Sequence, residues 1–401
     1  MLLAGTKVVE VGVWVAGPAV GGVLADWGAD VVKVEPPTGD PMRNAFRAIA
    51  GIDIPSSPPF NVDNRGKKSV VLDLRSDDGR ALMLGLLDDA DVFLTNLRPD
   101  ALKRLGLDWD TLAARNERLV YAHVTGYGLV GPDKDRAGYD IGSFWARAGI
   151  AHLLAPAGEE PVASRGGFGD HITAMTTVAG VAAALLHRER TGKGQLVDNC
   201  LLRSAIWTLG WDIQQQIELG IVMSAGKRTE SIAPTVSSFC GGDGRWIWLL
   251  GVEADRHWPR LARALDRADL IDDERFADSA SRRTNGRELM AILDAEFAKR
   301  PIDEWTERFD REDLWWAPVQ TPAEVVEDPQ AIAAGAFTEI PRPGGGDERQ
   351  TVVASPVRFS NASTEPRGGV PDLGADTDDV LTGLGLGGDE IAALRARGVL
   401  G

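Results

Sequence analysis

Along the first third of the chain, short β-branched runs alternate with segments whose apolar positions recur every three or four residues. The runs are Lys7 to Val13, Asp30 to Glu35, Ser69 to Asp73, Asp91 to Thr95 and Leu119 to Thr125. Between them lie a small-residue stretch from Gly17 to Trp27, a helix-period segment from Asp77 to Leu87, and a helix opening near Pro99. Strands that are apolar throughout are those covered on both faces, and helical crossovers between parallel strands are right-handed. The pattern therefore predicts an α/β fold: a Rossmann-like, doubly wound parallel sheet.

Near residue 200 the pattern changes. Leu202 to Leu219 reads as one helix carrying Trp207 and Trp211. Thr235 to Cys240 and Trp246 to Gly251 read as strands joined by the turn Gly241-Gly242-Asp243-Gly244, with helical segments following from about Glu253 to Phe309. This predicts a large domain over 1–200, a linker helix over 201–224 and a smaller α+β domain over 225–325. The Pro/Gly-rich stretches at Pro341 to Gly346 and Pro366 to Gly374 mark a return linker over 326–369. Residues from about 370 to 401, with a last helix from Gly388 to Gly398, then complete the large domain.

Composition narrows the function classes. The chain has 401 residues, 44% hydrophobic and 25% charged, as in ordinary globular proteins. A net charge of −16 repels nucleic acid and anionic lipid, so neither is an expected partner, whereas a small anion in a local basic pocket remains compatible. Two cysteines, Cys200 and Cys240, make no disulfide framework and point to a reducing compartment. The longest apolar run, Val178 to Leu186, is half of the roughly 18 residues a membrane span needs, and the N-terminus has no basic region of a signal peptide. The expected location is the cytoplasm. None of His123, His152, His171, His187 and His257 has metal-ligand spacing with another His or Cys, so no metal is expected. Neither a Gly-x-Ser-x-Gly elbow nor a Walker loop occurs.

Three motifs carry candidate chemistry. Gly17-Pro18-Ala19-Val20-Gly21-Gly22 opens a helix after the first strand, where free amides attract an anion. Ala19 stands where a dinucleotide fingerprint needs its second glycine, so the fingerprint fails. A close helix–strand contact or another anionic ligand accounts for the glycines. Arg75, Arg98, Lys103 and Arg104 fall near the carboxyl ends of strands, where open parallel sheets bind ligands. Gly166-Gly167-Phe168-Gly169-Asp170 leads into a helix with apolar positions Ile172, Met175, Ala179, Ala182 and Leu186. Asp170 is placed as its N-cap. Either it only caps, or helix amides keep its carboxylate ionised for service as a covalent nucleophile. Spacing does not choose between these.

The order of motifs along nearly the whole chain resembles the class III coenzyme A transferases, relatives of formyl-CoA transferase, carnitine CoA-transferase and the α-methylacyl-CoA racemases. The residues that carry this likeness are Ala16-Gly17-Pro18, Leu24 through Glu35, Asn64-Arg65-Gly66-Lys67-Lys68-Ser69, Leu72-Asp73-Leu74 and Thr95-Asn96-Leu97-Arg98-Pro99. They continue with Gly126-Tyr127-Gly128, Gly138-Tyr139-Asp140, Gly169-Asp170, Arg190 through Gln195, Pro318-Val319, Glu327-Asp328-Pro329-Gln330 and Ser355-Pro356-Val357.

The resemblance implies an interlocked homodimer, with acyl-CoA and a carboxylic acid as substrates and no tightly bound cofactor. By position it implies that Val15, Ala16, Leu72, Arg75, Asn96, Leu97, Arg104 and Tyr139 contact CoA and that Asp170 is the nucleophile. The implied reaction moves CoA from an acyl-CoA donor to a carboxylic acid acceptor through aspartyl anhydride and aspartyl-CoA thioester intermediates. Backbone amides at the Asp170 helix start or near Val15-Ala16 are the candidate oxyanion donors. There are departures: formyl-CoA transferase has a side-chain amide where Val15 stands, a glycine-rich flap with no equivalent between Gly226 and Cys240, and a basic residue aligned near Ala137, beside Arg136. Formyl and oxalyl chemistry is therefore not expected. The alternatives are a racemase-like enzyme, which normally has histidine where Tyr139 stands, and a CoA-binding protein without catalysis. An unperturbed tyrosine, with pKa near ~10, is a poor base at neutral pH.

Overall fold

The structure, a computed structural model, describes residues 1–52, 54, 56–221, 225–344 and 346–400. Residues 222–224 of the expected linker helix, and Gly345 of the expected return linker, lie outside the described residues. The chain divides into two compact units, one of Met1–Ala151, Val162–Val222 and Ala333–Gly401, the other of His152–Pro161 and Met223–Ile332.

The first unit is built on six parallel strands: β1 (Lys7–Val11), β2 (Asp30–Glu35), β3 (Lys68–Val71), β4 (Val92–Thr95), β5 (Val120–Thr125) and β6 (Leu196–Cys200), in the order β3-β2-β1-β4-β5-β6. This is the doubly wound order of Rossmann-like folds. Alternate strand residues feed two cores. Val8, Val31, Leu94 and Ala122 pack under the helices Ala16–Asp26 and Phe168–Thr191. Val9, Val34, Phe93 and Tyr121 pack under Asp77–Asp88, Pro99–Leu105 and Trp109–Arg115, joined by Leu381, Ile391 and Leu394 from near the C-terminus. That is why the strands read as unbroken apolar runs. β6, absent from the sequence reading, is an edge strand whose Asp198 and Asn199 break the apolar signal. The helix Phe168–Thr191 is long and apolar enough to cross a bilayer; here one side of it, including Val178 and Val181, is buried on the sheet.

Several local readings change. The single helix expected over Leu202 to Leu219 is two, Leu201–Thr208 and Gly210–Leu219. The Thr208 hydroxyl donates back to the Ser204 carbonyl at 2.9 Å and a glycine follows, both unfavourable to helix continuation. The segment read as a return linker contains an antiparallel hairpin of Phe337–Pro341 and Arg349–Val353. Farther on, Asp376 accepts the Ser69 amide at 2.8 Å, and the Asp73 amide donates to the Val399 carbonyl at 2.9 Å, so the chain end stitches onto the β3 edge.

The second unit holds a three-stranded antiparallel sheet of β7 (Ser238–Cys240), β8 (Trp246–Leu249) and β9 (Trp316–Pro318), the last of which the sequence pattern did not indicate. Phe239 stacks on Phe297 with ring centroids 4.5 Å apart, and Trp258 and Trp305 are buried in the same core.

At the carboxyl ends of β1 and β2 the large sheet buries charge. Glu10 and Lys33 are register partners on the two strands. Lys33 Nζ lies 3.0 Å from Glu10 Oε1, 2.9 Å from Asp40 Oδ2 and 2.8 Å from the Gly12 carbonyl. Lys67 Nζ closes the other side, donating to Glu10 Oε2 at 2.7 Å, to the Pro18 carbonyl at 2.8 Å and to Asn64 Oδ1 at 2.9 Å. All four charged side chains are fully or almost fully buried. Removing one partner of such a network strands the others in a low dielectric. Lys33→Met is therefore expected to cost about 3–5 kcal/mol of unfolding free energy in urea titration; a loss below about 1 kcal/mol would mean the network does not hold these strand ends.

Candidate active site

The order of strands reverses between β1 and β4, and ligands in open parallel sheets bind outside the strand ends at such a point. A cleft of about 240 Å³ lies there. Its walls are the loop after β1 (Val13 to Ala16), the loop after β4 (Asn96 to Pro99), the end of β5 and the segment Lys134 to Asp140, with Asp170 among the lining side chains.

The first wall is held in an unusual backbone shape. Asn96 grips both main-chain groups of Val13: its Oδ1 accepts the Val13 amide at 3.0 Å and its Nδ2 donates to the Val13 carbonyl at 2.7 Å. The next amide, of Trp14, donates to Asp40 Oδ1 at 3.1 Å, and Asp40 is itself paired with Lys33. Trp14 is thereby fixed at φ 67°, left-handed, a conformation that costs a bulky residue roughly 1–3 kcal/mol. The helix Ala16–Asp26 starts immediately after, and the amides of its first turn have no acceptor within the helix.

The opposite wall is a π-helical turn, Tyr139–Ala146, whose first residue, Tyr139, is also left-handed at φ 45°. Trp14 and Tyr139 meet edge to face with centroids 6.3 Å apart. The next residue, Asp140, is buried, and its carboxylate accepts the Gly169 amide at 3.0 and 3.2 Å. This changes the role expected of Asp170. The N-cap of the helix Phe168–Thr191 is Gly167, left-handed at φ 75°, so Asp170 is the third residue of the first turn and caps nothing. Asp140 does the capping from another element. The Gly169 amide serves that carboxylate, so it is not free to hold an oxyanion; the amides of the Val15-Ala16 turn are the candidates on the other wall.

Asp170 is partly buried, and its carboxyl is raised from 3.8 to about 7. Burial is the largest cause, followed by repulsion from Asp140, with attraction to His171 acting the other way. Of the two readings left open by spacing, capping by Asp170 does not occur, and the Gly169 amide that could have kept its carboxylate ionised is taken by Asp140. His171 turns away and pairs with Asp63, Nε2 to Oδ1 at 3.0 Å, which raises the imidazole's pKa.

Of the residues singled out in the sequence, the cleft brings together Val15, Ala16, Asn96, Leu97, Tyr139 and Asp170. Leu72, Arg75 and Arg104 are not part of its lining. Leu72 is a core side chain, Arg75 is exposed and bidentate to Asp73, and Arg104 lies exposed near the end of the helix Pro99–Leu105. The cations that do line the cleft are Arg98, Lys134 and Arg136. Trp14, Lys134 and the capping role of Asp140 escaped sequence reasoning; an aromatic residue inside Gly-Val-Trp-Val-Ala-Gly was the available signal for the first. Among the described residues, no group of three or more His, Cys, Asp or Glu side chains is arranged to hold a metal ion.

Gly169 admits no side chain. A Cβ there would stand 2.2 Å from the Phe144 ring and 2.4 Å from Asp140 Oδ1. Gly169→Ala is expected to shift Asp170 and lower kcat by about 100-fold or more; an activity within threefold of wild type would contradict this packing. The raised Asp170 carboxyl also has a stability consequence. Below about pH 4 it is protonated folded or unfolded; as pH rises toward 7 only the unfolded chain releases its proton freely, so stability falls, and above 7 the penalty is constant. Asp170→Asn should therefore raise stability by about 1–3 kcal/mol at pH 8 and leave it unchanged near pH 4 in calorimetric scans. A gain of the same size at both pH values would refute the shift.

The chain is similar to known proteins over almost its whole length. Residues 3–377 match CoA-transferase family III. The chain is 34% identical to cinnamoyl-CoA:phenyllactate CoA-transferase of Clostridium sporogenes, over 98% of this chain and 96% of that protein. It is 30% identical to (R)-2-hydroxy-4-methylpentanoate CoA-transferase of Clostridioides difficile, over 98% and 97% of the two chains. The crystal structure of a CAIB/BAIF family protein from Brucella suis superposes with a TM-score of 0.85 at 31% identity, covering 95% of this chain and 99% of that one. With this fold, this strand-end cleft and likeness over almost its whole length, the chain belongs to CoA-transferase family III and is a CoA-transferase that uses CoA thioesters.

Proposed function

We propose that this enzyme transfers CoA from an acyl-CoA donor to a carboxylic acid through covalent intermediates on Asp170. The observation that carries the reading is the Asp170 carboxyl at the sheet's switch point, desolvated and pushed up to about 7, in a cleft lined also by Asp140, Tyr139 and the cations Arg98, Lys134 and Arg136. Desolvation makes such a carboxylate a better nucleophile than a hydrated one, and about half is ionised at neutral pH.

One Asp170 carboxylate oxygen attacks the donor thioester carbonyl. The C–S bond breaks, CoA thiolate leaves, and a mixed anhydride remains. The thiolate then attacks the aspartyl carbonyl of that anhydride, expelling the donor acid and leaving an aspartyl-CoA thioester. The acceptor carboxylate attacks this thioester, releasing thiolate again and forming a second anhydride. Attack of thiolate on the acceptor's acyl carbonyl yields the new acyl-CoA and frees Asp170. Each step replaces one negative leaving group with another, so no net proton is consumed. The Val15 and Ala16 amides supply the oxyanion donors, since Asn96 and Asp40 occupy those of Val13 and Trp14.

A cleft of about 240 Å³ is too small for all of CoA, so it takes the thioester end of the arm. In this reading Val15, Ala16, Asn96, Leu97 and Tyr139 contact that end, and the nucleotide end lies outside, toward Leu72, Arg75 and Arg104. Exposed guanidinium groups such as those of Arg75 and Arg104 suit phosphates. No histidine lines the cleft among the described residues, which favours transfer over racemisation. The working form is an interlocked homodimer in this reading: Trp207 and Trp211 are 81% and 80% exposed and Ile217 and Leu219 are exposed too, apolar side chains on consecutive helices that a partner subunit would cover. Light scattering is then expected to return twice the 43.0 kDa chain mass, and a single-chain mass would reject the dimer. A cytoplasmic location fits the two free thiols, Cys200 and Cys240.

Asp170→Ala is expected to abolish acyl exchange while CoA binding, read by calorimetry, changes less than about fivefold. Full turnover by this variant would remove the nucleophile. If the ionised carboxylate is the attacking species, kcat/KM rises about tenfold per pH unit below 7 and levels off above it. A flat profile from pH 5 to 8 would contradict that assignment.

A further inference from the structure

The indole of Trp14 has no part in the steps above, yet Trp14 lines the same cleft as Asp170. Val15 Cγ1 lies 3.8 Å from where a Cβ on Gly167 would stand, so the Trp14-Val15 turn abuts the start of the Asp170 helix. The Trp14 ring meets Tyr139 edge to face at 6.3 Å, and the residue after Tyr139 caps Gly169, next to Asp170. Two routes thus connect the indole to the turn bearing the nucleophile, one through Val15 and Gly167, the other through Tyr139 and Asp140. The cleft's cations stand on other segments, Arg98 after β4 and Lys134 and Arg136 before the π-helical turn.

Both aromatic residues sit at positive φ, where glycine is the ordinary occupant. Trp14 is kept there by bonds to its own amide and to both main-chain groups of Val13. Its placement is imposed by the fold, by way of Asp40 and the buried Lys33, and strained residues so held cluster at ligand sites. An edge-to-face pair in a cleft lined also by Val15 and Leu97 offers ring edges and faces to a flat apolar group.

Resting on the covalent reading of Asp170, we infer that Trp14 is a specificity-determining residue. Its indole, backed by Tyr139, forms the wall against which the acyl group lies while attached to Asp170, and it selects aryl-substituted carboxylic acids over short aliphatic ones.

The test is identity exchange, in which an isotope-labelled acid enters its own CoA thioester, so that no acceptor need be guessed. Two pairs are compared: 3-phenylpropanoate with 3-phenylpropanoyl-CoA, and acetate with acetyl-CoA. Wild type is expected to favour the phenyl pair by at least tenfold in kcat/KM. Trp14→Ala should cut that ratio at least tenfold, mainly through KM, with the dissociation constant for free CoA moving less than threefold. Trp14→Phe should recover most of the ratio. Preference for acetate in the wild type, an unchanged ratio in Trp14→Ala, or a parallel tenfold loss of free-CoA affinity would overturn the inference. The wild-type and Trp14→Phe measurements decide it even if Trp14→Ala fails to fold. Exchange lost in Asp170→Ala but unaltered in preference by Trp14 variants would leave the covalent reading standing and this inference refuted; absence of exchange with the phenyl pair in the wild type would refute this inference, whereas exchange that persists in Asp170→Ala would overturn the covalent reading.

Discussion

The Asp140 carboxylate on the Gly169 amide is the contact on which the site depends. A helix of 24 residues begins with several unpaired amides, and a carboxylate in the first turn ordinarily gains from them. Here a second carboxylate, from the π-helical turn, takes that position. Asp170 is left in the same turn without the bonds, partly buried, and beside a like charge. Its raised pKa follows from those three circumstances together. A carboxylate left poorly satisfied in this way suits the nucleophile role proposed for it.

The opposing wall is kept in place by charges far from solvent. Glu10, Lys33, Lys67 and Asp40 tie the ends of β1 and β2 and the segments before β3 to one another. Such buried networks are weak evidence for added stability, because apolar residues of similar size often serve as well. Their use here is geometric. Asp40 spends one oxygen on Lys33 and the other on the Trp14 amide, so the interior ion pair determines a strained main-chain turn at the cleft. Asn96, at the end of β4, fixes the adjacent residue. The segments that follow β2 and β4 thereby set the same loop, the one after β1.

Much of the fold was legible because its strands are buried on both faces: Asp30–Glu35 was bounded correctly from β-branched pattern alone. β6 was not, since an edge strand carrying Asp198 and Asn199 loses the apolar run. The kink at Leu209 and the strand Trp316–Pro318 depend on local competition and tertiary pairing, which periodicity does not report. At the site, Gly-Asp at a helix start marked Asp170 as a cap or a nucleophile without choosing, only the family resemblance favoured the nucleophile, and its distance from capping was not legible. That depends on Asp140, 29 residues earlier in the chain, meeting Gly169. The basic residues were half legible for a similar reason. Arg98 lies in the cleft, while Arg104, six residues on, lies outside it, and Lys134 and Arg136 come from a loop without periodic signal.

The central claim is that the Asp170 carboxylate exchanges an oxygen with every acid it activates. Turnover with an acceptor acid labelled in both carboxyl oxygens, followed by digestion and mass spectrometry of the peptide containing residue 170, reads this directly. The account predicts that one Asp170 oxygen becomes heavy in the first turnover and the other over the turnovers that follow, and that donor acid released after the first cycle carries heavy oxygen passed on from Asp170. A peptide that stays unlabelled after many turnovers, while new acyl-CoA accumulates, would contradict it.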